Sequence, residues 1–349
     1  MKKVLMFIDY YNNGNIERVI NMIYDNLKSD YHIDLLSFCN LKSEDKVKSI
    51  LNENYSSFIK RNIQGLFKLK EYFKNNNYDI MHIHCYNSFG LVYAFFARKY
   101  VKKIIIHAHD SGIDNDCFRI KKLINSIIKL FFKSSKYIYT APSYSCIKFC
   151  FGKCNYRIIP NWIDYEKYKF NMDERLKYRN EFGFKDKEVV VGHIGKFERQ
   201  KNHSFLIDVF FELRKRRKNY KLVLIGDGSL LEQIKEKVSK LELDQYVIFL
   251  PPRDDINKLI NMFDIYLFPS LYEGFPLTVL ENQVNSKYVF TSKNVDKNIK
   301  VSNRFKQYYL EDGPKHWAIK IINNNRCKFF IKVHLELNDF VRNIMALYE

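Results

Sequence analysis

Hydrophobic and polar positions follow two alternating periods along most of this chain. Short apolar runs of strand length each lead through a turn into a stretch whose apolar residues recur every three or four positions. The first run, "KVLMFID", passes through "YYNNGN" into the amphipathic "IERVINMIYDNLK". "YHIDLLSF", "YDIMHIHC", "KKIIIHAHD" and "KYIYTAPS" predict further strands. "QGLFKLKEYFKNNN", "SFGLVYAFFARKY" and "FRIKKLINSIIKLFFKSS" predict helices between them, and "YRIIPNWID" closes this half. The alternation resumes with the strands "EVVVGHIGKF", "YKLVLIGDGS", "YVIFLPP" and "DIYLFPS" and the helices "HSFLIDVFFELRKRR", "LLEQIKEKVSKLEL" and "DINKLINMF". Past Val301 the pattern weakens to a loop, a short helix in "EDGPKHWAIKIINN" and a terminal amphipathic helix in "ELNDFVRNIMALYE".

Such alternation implies parallel sheets covered on both faces, an α/β protein with two doubly wound domains. With a hinge at the Pro-Asn-Trp stretch near Pro160, the expected domains are residues 1–163 and 164–334, with the helix 335–349 packing back on the first. Ligands of these folds bind at the carboxyl ends of strands, where every motif below lies. Two such domains facing each other are expected to leave a cleft.

Composition narrows the partners. The 349 residues are 46% hydrophobic and 28% charged, which suits two folded domains and not a disordered chain. A formal charge of +19 favours anionic partners such as phosphorylated ligands or an anionic membrane face, although much of the lysine simply solvates the surface. No arginine-rich arm, zinc finger or RNA-binding sheet signature occurs, so no nucleic acid partner is expected. Cys146, Cys150 and Cys154 follow at intervals of four without any Cys-x-x-Cys pair, which reads as reduced thiols in a cytosolic protein. No apolar run is long enough to span a membrane. "MKKVLMFIDYYNN" is too short in its apolar part for a signal peptide.

The stretch "PSLYEGFPLTVLENQ" carries two glutamates, Glu273 and Glu281, around a turn leading into a helix. Gly274 permits close backbone approach, and Pro276 suits the first helical turn, where its missing N–H is no loss. The amides of Phe275, Leu277 and Thr278 are placed to cradle a phosphate. Ionised Glu273 and Glu281 can accept hydrogen bonds from sugar hydroxyls, or offset a helix dipole and be solvated. "HIGKFERQKN" places Lys196 and Lys201 after a strand, where two cations offset a diphosphate or form an ordinary surface loop. His107 and His109 end one strand and His82 and His84 another; histidines there are often scaffold. The helix over residues 118–133 sets lysines beside a wide apolar face, suited to an anionic lipid surface or to core packing with solvated lysines.

"EGFPLTVLE" resembles the E-x7-E signature of retaining glycosyltransferases of family 4, which have the GT-B fold, two Rossmann-like domains facing across a cleft. "GKFERQKN", "IPNWID", "VLIGDGSLLEQI", "VIFLPPRDDI", "YDIMHIHCYNS" and "IIIHAHDS" match phrases of the same family in order. The resemblance covers nearly the whole chain and looks most like bacterial enzymes of capsular or exopolysaccharide assembly. It implies transfer of a sugar from a nucleotide donor, a UDP-sugar, to an acceptor hydroxyl on a glycan or lipid-linked carrier, without a metal or other cofactor. Lys201 and Lys196 would face the donor diphosphate, and Glu281 the ribose. Glu273 and His109 would lie by the transferred sugar, and the amides after Gly274 would complete the phosphate site. Gly14 would let the first domain approach phosphate or sugar, and Arg253 would sit by the base. Such an enzyme works in the cytoplasm, peripherally on the inner membrane face, and the acids Asp114 to Asp116 are then a decoy for a metal site. The sequence departs from the family pattern in three places: Lys196 stands for arginine, Gly14 is a lone glycine, and no glycine follows Glu281 before the next strand. Other readings on the same fold are a non-catalytic partner subunit or a nucleotide-sugar epimerase.

Overall fold

The computed structural model describes residues 1–11, 14–40, 45–51, 58–112, 118–324 and 337–349. The chain divides into two compact units, one formed by Met1–Asn161 with Glu336–Glu349 and the other by Trp162–Leu335.

In the first unit the order is β1 (Lys3–Tyr11), α1 (Asn15–Leu27), β2 (His32–Asn40), β3 (Val47–Ser49), α2 (Phe58–Asn75), β4 (Ile80–Cys85), α3 (Phe89–Ala97), β5 (Lys103–Ala108), α4 (Phe118–Phe132), β6 (Ile138–Ala141), α5 (Tyr144–Cys150) and β7 (Tyr156–Ile158). These strands form a parallel sheet in the order β3-β2-β1-β4-β5-β6-β7. The direction of winding reverses between β1 and β4. All six residues of β4 are buried, so its two polar side chains, His82 and His84, are enclosed along with the apolar ones.

The second unit contains α6 (Tyr165–Tyr168), α7 (Met172–Glu181), β8 (Val189–Ile194), α8 (His203–Arg216), β9 (Tyr220–Ile225), α9 (Leu231–Lys240), β10 (Val247–Leu250), α10 (Ile256–Leu259), β11 (Ile265–Phe268), α11 (Leu277–Val284), β12 (Tyr288–Ser292), β13 (Phe305–Tyr308) and α12 (Gly313–Asn324). Its parallel sheet has the order β10-β9-β8-β11-β12-β13, and the winding reverses between β8 and β11. A last helix, α13 (Leu337–Tyr348), belongs to the first unit.

Where the hydrophobic pattern weakens, past Val301, the structure still has β13 and a twelve-residue α12. β13 pairs on one side only, with β12, so it is half exposed and its alternation is blurred. α12 packs on α8 through Trp317, Ala318 and Ile321, and Trp317 Nε1 donates to the Tyr309 carbonyl at 2.7 Å. α13 is anchored at its carboxyl end: Lys2 Nζ donates to the Tyr348 carbonyl at 3.0 Å and Arg157 to that of Ala346 at 3.2 Å. Both cations suit the negative end of a helix dipole.

Candidate functional site

At the carboxyl ends of β8 and β9 two loops lock together backbone to backbone. Gly195 N donates to the Ile225 carbonyl at 3.0 Å, Phe197 N to that of Asp227 at 2.6 Å, and Leu230 N to that of Phe197 at 2.8 Å. Gly226 and Gly228 make this possible. Both have φ near +148°, and a Cβ on Gly226 would lie 2.2 Å from the Gly195 oxygen. Ser229 adds its N–H and hydroxyl to the Glu198 carboxylate at 3.1 and 2.8 Å. The loop bearing Lys196 is thereby held rigid, and Lys196 itself is exposed on it.

The continuation of that loop is stitched to the segment after β11. Leu271 N donates to the Gln200 carbonyl at 2.8 Å, Gln200 Nε2 to the Tyr272 carbonyl at 3.1 Å, and Asn202 Nδ2 to the Pro269 carbonyl at 3.1 Å. Lys201 Nζ lies 2.7 Å from Glu273 Oε1, with only 12% and 6% of the two side chains exposed. It also sits 4.9 Å from the centre of the Phe268 ring. A buried ion pair returns little net stability, because both ions lose hydration, but removing one partner strands the other. The pair therefore fixes where a cation stands and how it points. Nearby, burial lowers His193 to about 3 and His203 to about 2, so neither adds charge beside Lys201. His193 Nδ1 is held to the Leu267 carbonyl at 2.8 Å.

The turn after Glu273 opens α11. Pro276 is the N-cap residue and Leu277 the first helical one, so the proline stands one position earlier than the first-turn placement expected of it. Its extended ψ of 115° aims its carbonyl at Val279 N, 3.1 Å away. The amides of Leu277 and Thr278 come before that bond, at the positive end of the helix. Gly274 is buried and does not use the positive-φ region. Phe275 is also buried. Glu281 lies about one turn inside the helix with no exposed surface. Beside it Tyr266, raised above the usual phenol range by burial, donates its hydroxyl to the Ile194 carbonyl at 3.2 Å.

The residues after Glu281, where the sequence departs from the family pattern, hold this helix in place. Gln283 donates to the Ile299 carbonyl at 2.9 Å and accepts from Val301 N and Ser302 N at 2.9 and 3.1 Å. Asn285 donates to the Tyr168 carbonyl at 2.8 Å. Neither role was legible in the sequence; a run of amides inside an otherwise apolar helix was the signal available.

Arg253 closes its fork on Asp255 at 2.7 and 2.6 Å, and Tyr178 donates to the same carboxylate at 2.7 Å. These bonds hold the Asp255 carboxyl well below the usual range. Lys201, Glu273, Gly274, Phe275, Leu277 and Thr278 thus gather where the second sheet reverses. Lys196 stands on the adjoining loop, Glu281 within α11, and Arg253 after β10.

In the first unit Gly14 is the N-cap of α1, with an ordinary φ of −83°, and its carbonyl accepts from Arg18 N at 3.2 Å. His109 is half-buried just past β5, its Nε2 2.9 Å from His84 Nδ1. His82, His84 and His107 are fully buried. Their nitrogens lie within 4.8 Å of one another, the one such group of possible metal ligands among the described residues. The rings of His82 and His84, however, lie over each other with centroids 4.3 Å apart, so their in-plane lone pairs do not meet at one ion. Two pairs went unforeseen. Arg61 bonds Asp9 at 3.3 Å, and Tyr86 bonds the buried Glu17 at 3.5 Å. Both lie by the carboxyl ends of β1 and β4, a position that strand topology alone could have flagged. Burial raises the Asp9 carboxyl, with Arg61 opposing.

On α4 the apolar stripe of Ile120, Leu123, Ile124, Ile127, Leu130 and Phe131 faces outward, Leu130 being 77% exposed. Among the described side chains of this helix only Asn125 and Ile128 are buried, so its apolar stripe is not packed into the core. No described helix is long and apolar enough to cross a membrane. Asp114 to Asp116 lie outside the described residues.

Known proteins match this chain along most of its length. Residues 27–167 match the family described as Glycosyltransferase Family 4, and residues 174–342 the family described as Glycosyl transferases group 1. EpsF of Bacillus subtilis (strain 168), a protein named as a glycosyltransferase, is 25% identical over 316 residues, 85% of this chain and 81% of its own length. The capsular polysaccharide biosynthesis glycosyltransferase CapH of Staphylococcus aureus is 24% identical over 97% of this chain and 94% of its own. Among solved structures, Anabaena Alr3699/HepE in complex with UDP and glucose superposes with a TM-score of 0.73 at 18% identity, covering 93% of this chain and 89% of that one.

Proposed function

This chain belongs to the GT-B glycosyltransferases of bacterial polysaccharide type, and from that premise we propose that it moves a sugar from a UDP-sugar to an acceptor hydroxyl with retention of configuration. The observation that carries the reading is the meeting, at the reversal point of the second sheet, of the Lys201–Glu273 pair with the amino terminus of α11. Departure of a nucleoside diphosphate builds negative charge on its β-phosphate. An ammonium held in place by one carboxylate keeps further N–H donors for that phosphate, and the Leu277 and Thr278 amides, with that of Phe275 in the turn, add theirs. Lys196, exposed on a rigid loop, supplies a second cation. Glu281 accepts from the ribose hydroxyls. Glu273 lies at the sugar side, where its second oxygen accepts from a hydroxyl. Arg253, its fork closed on Asp255, offers the planar guanidinium face to the base.

In the first unit the same reading assigns His109 and the Gly14 turn to the donor, His109 to the transferred sugar. The oxocarbenium-like ring is met by the acceptor on the face the diphosphate leaves, with a donor phosphate oxygen taking the proton. No protein nucleophile and no metal are required for these steps, since lysines and amides carry the charge. The acceptor is a glycan or a lipid-linked carrier, and work at the inner membrane face follows from it. The outward apolar stripe of α4, with Lys121, Lys122 and Lys129 on the same helix, is a surface for anionic lipid.

A panel of nucleotide sugars tests the donor: the matching UDP-sugar raises the melting temperature, as mass action demands, and is consumed with release of UDP. Proton NMR of the product reads the anomer. UDP binding without release from any UDP-sugar would instead mark a non-catalytic partner subunit, and an isomerised donor without acceptor would mark an epimerase.

A further inference from the structure

Four imidazoles form a two-layered stack along β4 and β5, beside the reversal point of the first sheet. His84 and His107 are register partners on β4 and β5, and His82 and His109 lie two residues away on the same sides of their strands. His82 Nε2 meets His107 Nδ1 at 3.3 Å with ring planes 6° apart. His84 Nδ1 meets His109 Nε2 at 2.9 Å with planes 20° apart. The two pairs lie over one another, His82 on His84 at 4.3 Å and His107 on His109 at 4.4 Å between centroids. Tyr348 Oη closes one end at 2.9 Å from His82 Nδ1.

The positions of the protons follow from these contacts. Burial pushes all four rings toward the neutral form, helped by repulsion between rings for His82, His84 and His109, so each carries one N–H. His84 Nε2 and His107 Nε2 are buried without a partner. An orphaned N–H is the rarer and costlier defect, so both of these nitrogens are bare and the protons of His84 and His107 sit on Nδ1. His107 then donates to His82, and His82 to Tyr348. His84 donates to His109 Nε2, which leaves the single proton of His109 on Nδ1.

We infer that His84 is a positioning residue: it locks His109 in the Nδ1–H tautomer, so that His109 meets the sugar as a hydrogen-bond donor and not as a base. This rests on the assignment of His109 to the transferred sugar. A ligand atom opposite His109 must then be an acceptor, a hydroxyl or ring oxygen, and the Nε2 lone pair is unavailable to an acceptor's proton. A neutral donor leaves the developing positive charge of the ring unopposed by a second cation.

The unmodified protein, labelled with 15N-histidine, gives the direct test through two-bond proton–nitrogen spectra, His109 being assigned by its loss in His109→Ala. His109 protonated at Nδ1 and bare at Nε2 is the expected result; the reverse tautomer overturns the inference whatever the activity. His84→Leu removes the donor and should give a mixed His109 tautomer with about a tenfold fall in kcat/KM, since misorientation of one contacting group is costly. His84→Asn returns an N–H near the Nδ1 position and should restore both. Restored folding in His84→Asn with neither tautomer nor rate recovered overturns the positioning role. His109→Ala with unchanged kcat/KM would sink the assignment of His109 to the sugar while leaving the tautomer result standing.

Discussion

The first sheet reverses its winding between β1 and β4 beside four neutral imidazoles; the second does so between β8 and β11 beside a Lys–Glu pair and a helix terminus. The topology is shared and the chemistry is opposite. The imidazoles of the first have lost their charge to burial, so that stack offers directional hydrogen bonds without a field of its own. The other keeps an ammonium fixed by a carboxylate and supported by helix amides, so it offers a field.

The largest expected effect sharpens this contrast by acid. Six imidazoles, His82, His84, His107, His109, His193 and His203, have folded pKa values below the unfolded value near 6.5. Below that pH the unfolded chain binds protons that the folded chain refuses. Stability is therefore fully present above about pH 6.5 and falls as pH drops, by up to about 1.4 kcal/mol per pH unit for each such histidine. Urea midpoints measured from pH 7 to 5 should drop steeply, with four of the six groups in the first unit. A flat profile would break the picture of a discharged stack.

Next in size is Lys201→Ala, expected to slow turnover by about 10²-fold or more if the ammonium meets the leaving diphosphate. Since that change strands Glu273, the double variant Lys201→Met with Glu273→Gln is the fair control. UDP release by either variant at the native rate would remove the charged half of the contrast. Gln283→Ala comes third. It leaves Val301 N and Ser302 N without their acceptor and should cost about 1–3 kcal/mol, read as a lower denaturant midpoint. The smallest effect on stability belongs to Leu130→Glu on α4. Its side chain is exposed, so the midpoint should move by less than about 0.5 kcal/mol. Binding to vesicles of anionic phospholipid should nevertheless fall. Equal vesicle binding by native and variant protein would remove α4 as a lipid surface.

Much of this was written in the hydrophobic pattern. Short runs buried throughout, alternating with a period of three to four, announce α/β winding because strands covered on both faces have no solvent-facing polar side; β11 is the plain case, and β4 departs from it only in His82 and His84. The Glu273-to-Glu281 segment and the Lys201 loop were legible as motifs, and hydrogen bonds bring Lys201 and Glu273 into contact although 72 positions separate them. What the sequence hid depends on long-range partners. Tyr178, which shares the Asp255 carboxylate with Arg253, lies 77 positions before Asp255, and nothing in the pattern pairs them. Asp9 and Arg61 are 52 positions apart, and no local rule pairs them. The histidines at 82, 84, 107 and 109 were visible, but a stack with a fixed direction of donation appears only when two strands come into register. The outward stripe on α4 obeys helical spacing perfectly well; spacing alone does not say which side of a helix meets the sheet.

The return of α13 to the first unit sets an order of assembly. Tyr348, which closes the imidazole stack and packs edge-on against Tyr31 at 5.1 Å, is synthesised after the whole of Trp162–Leu335. The unit begun first therefore waits for α13 to complete its core, while Trp162–Leu335 has all of its own strands in hand before then. A chain stalled just short of α13 would carry a finished second half behind an open first one.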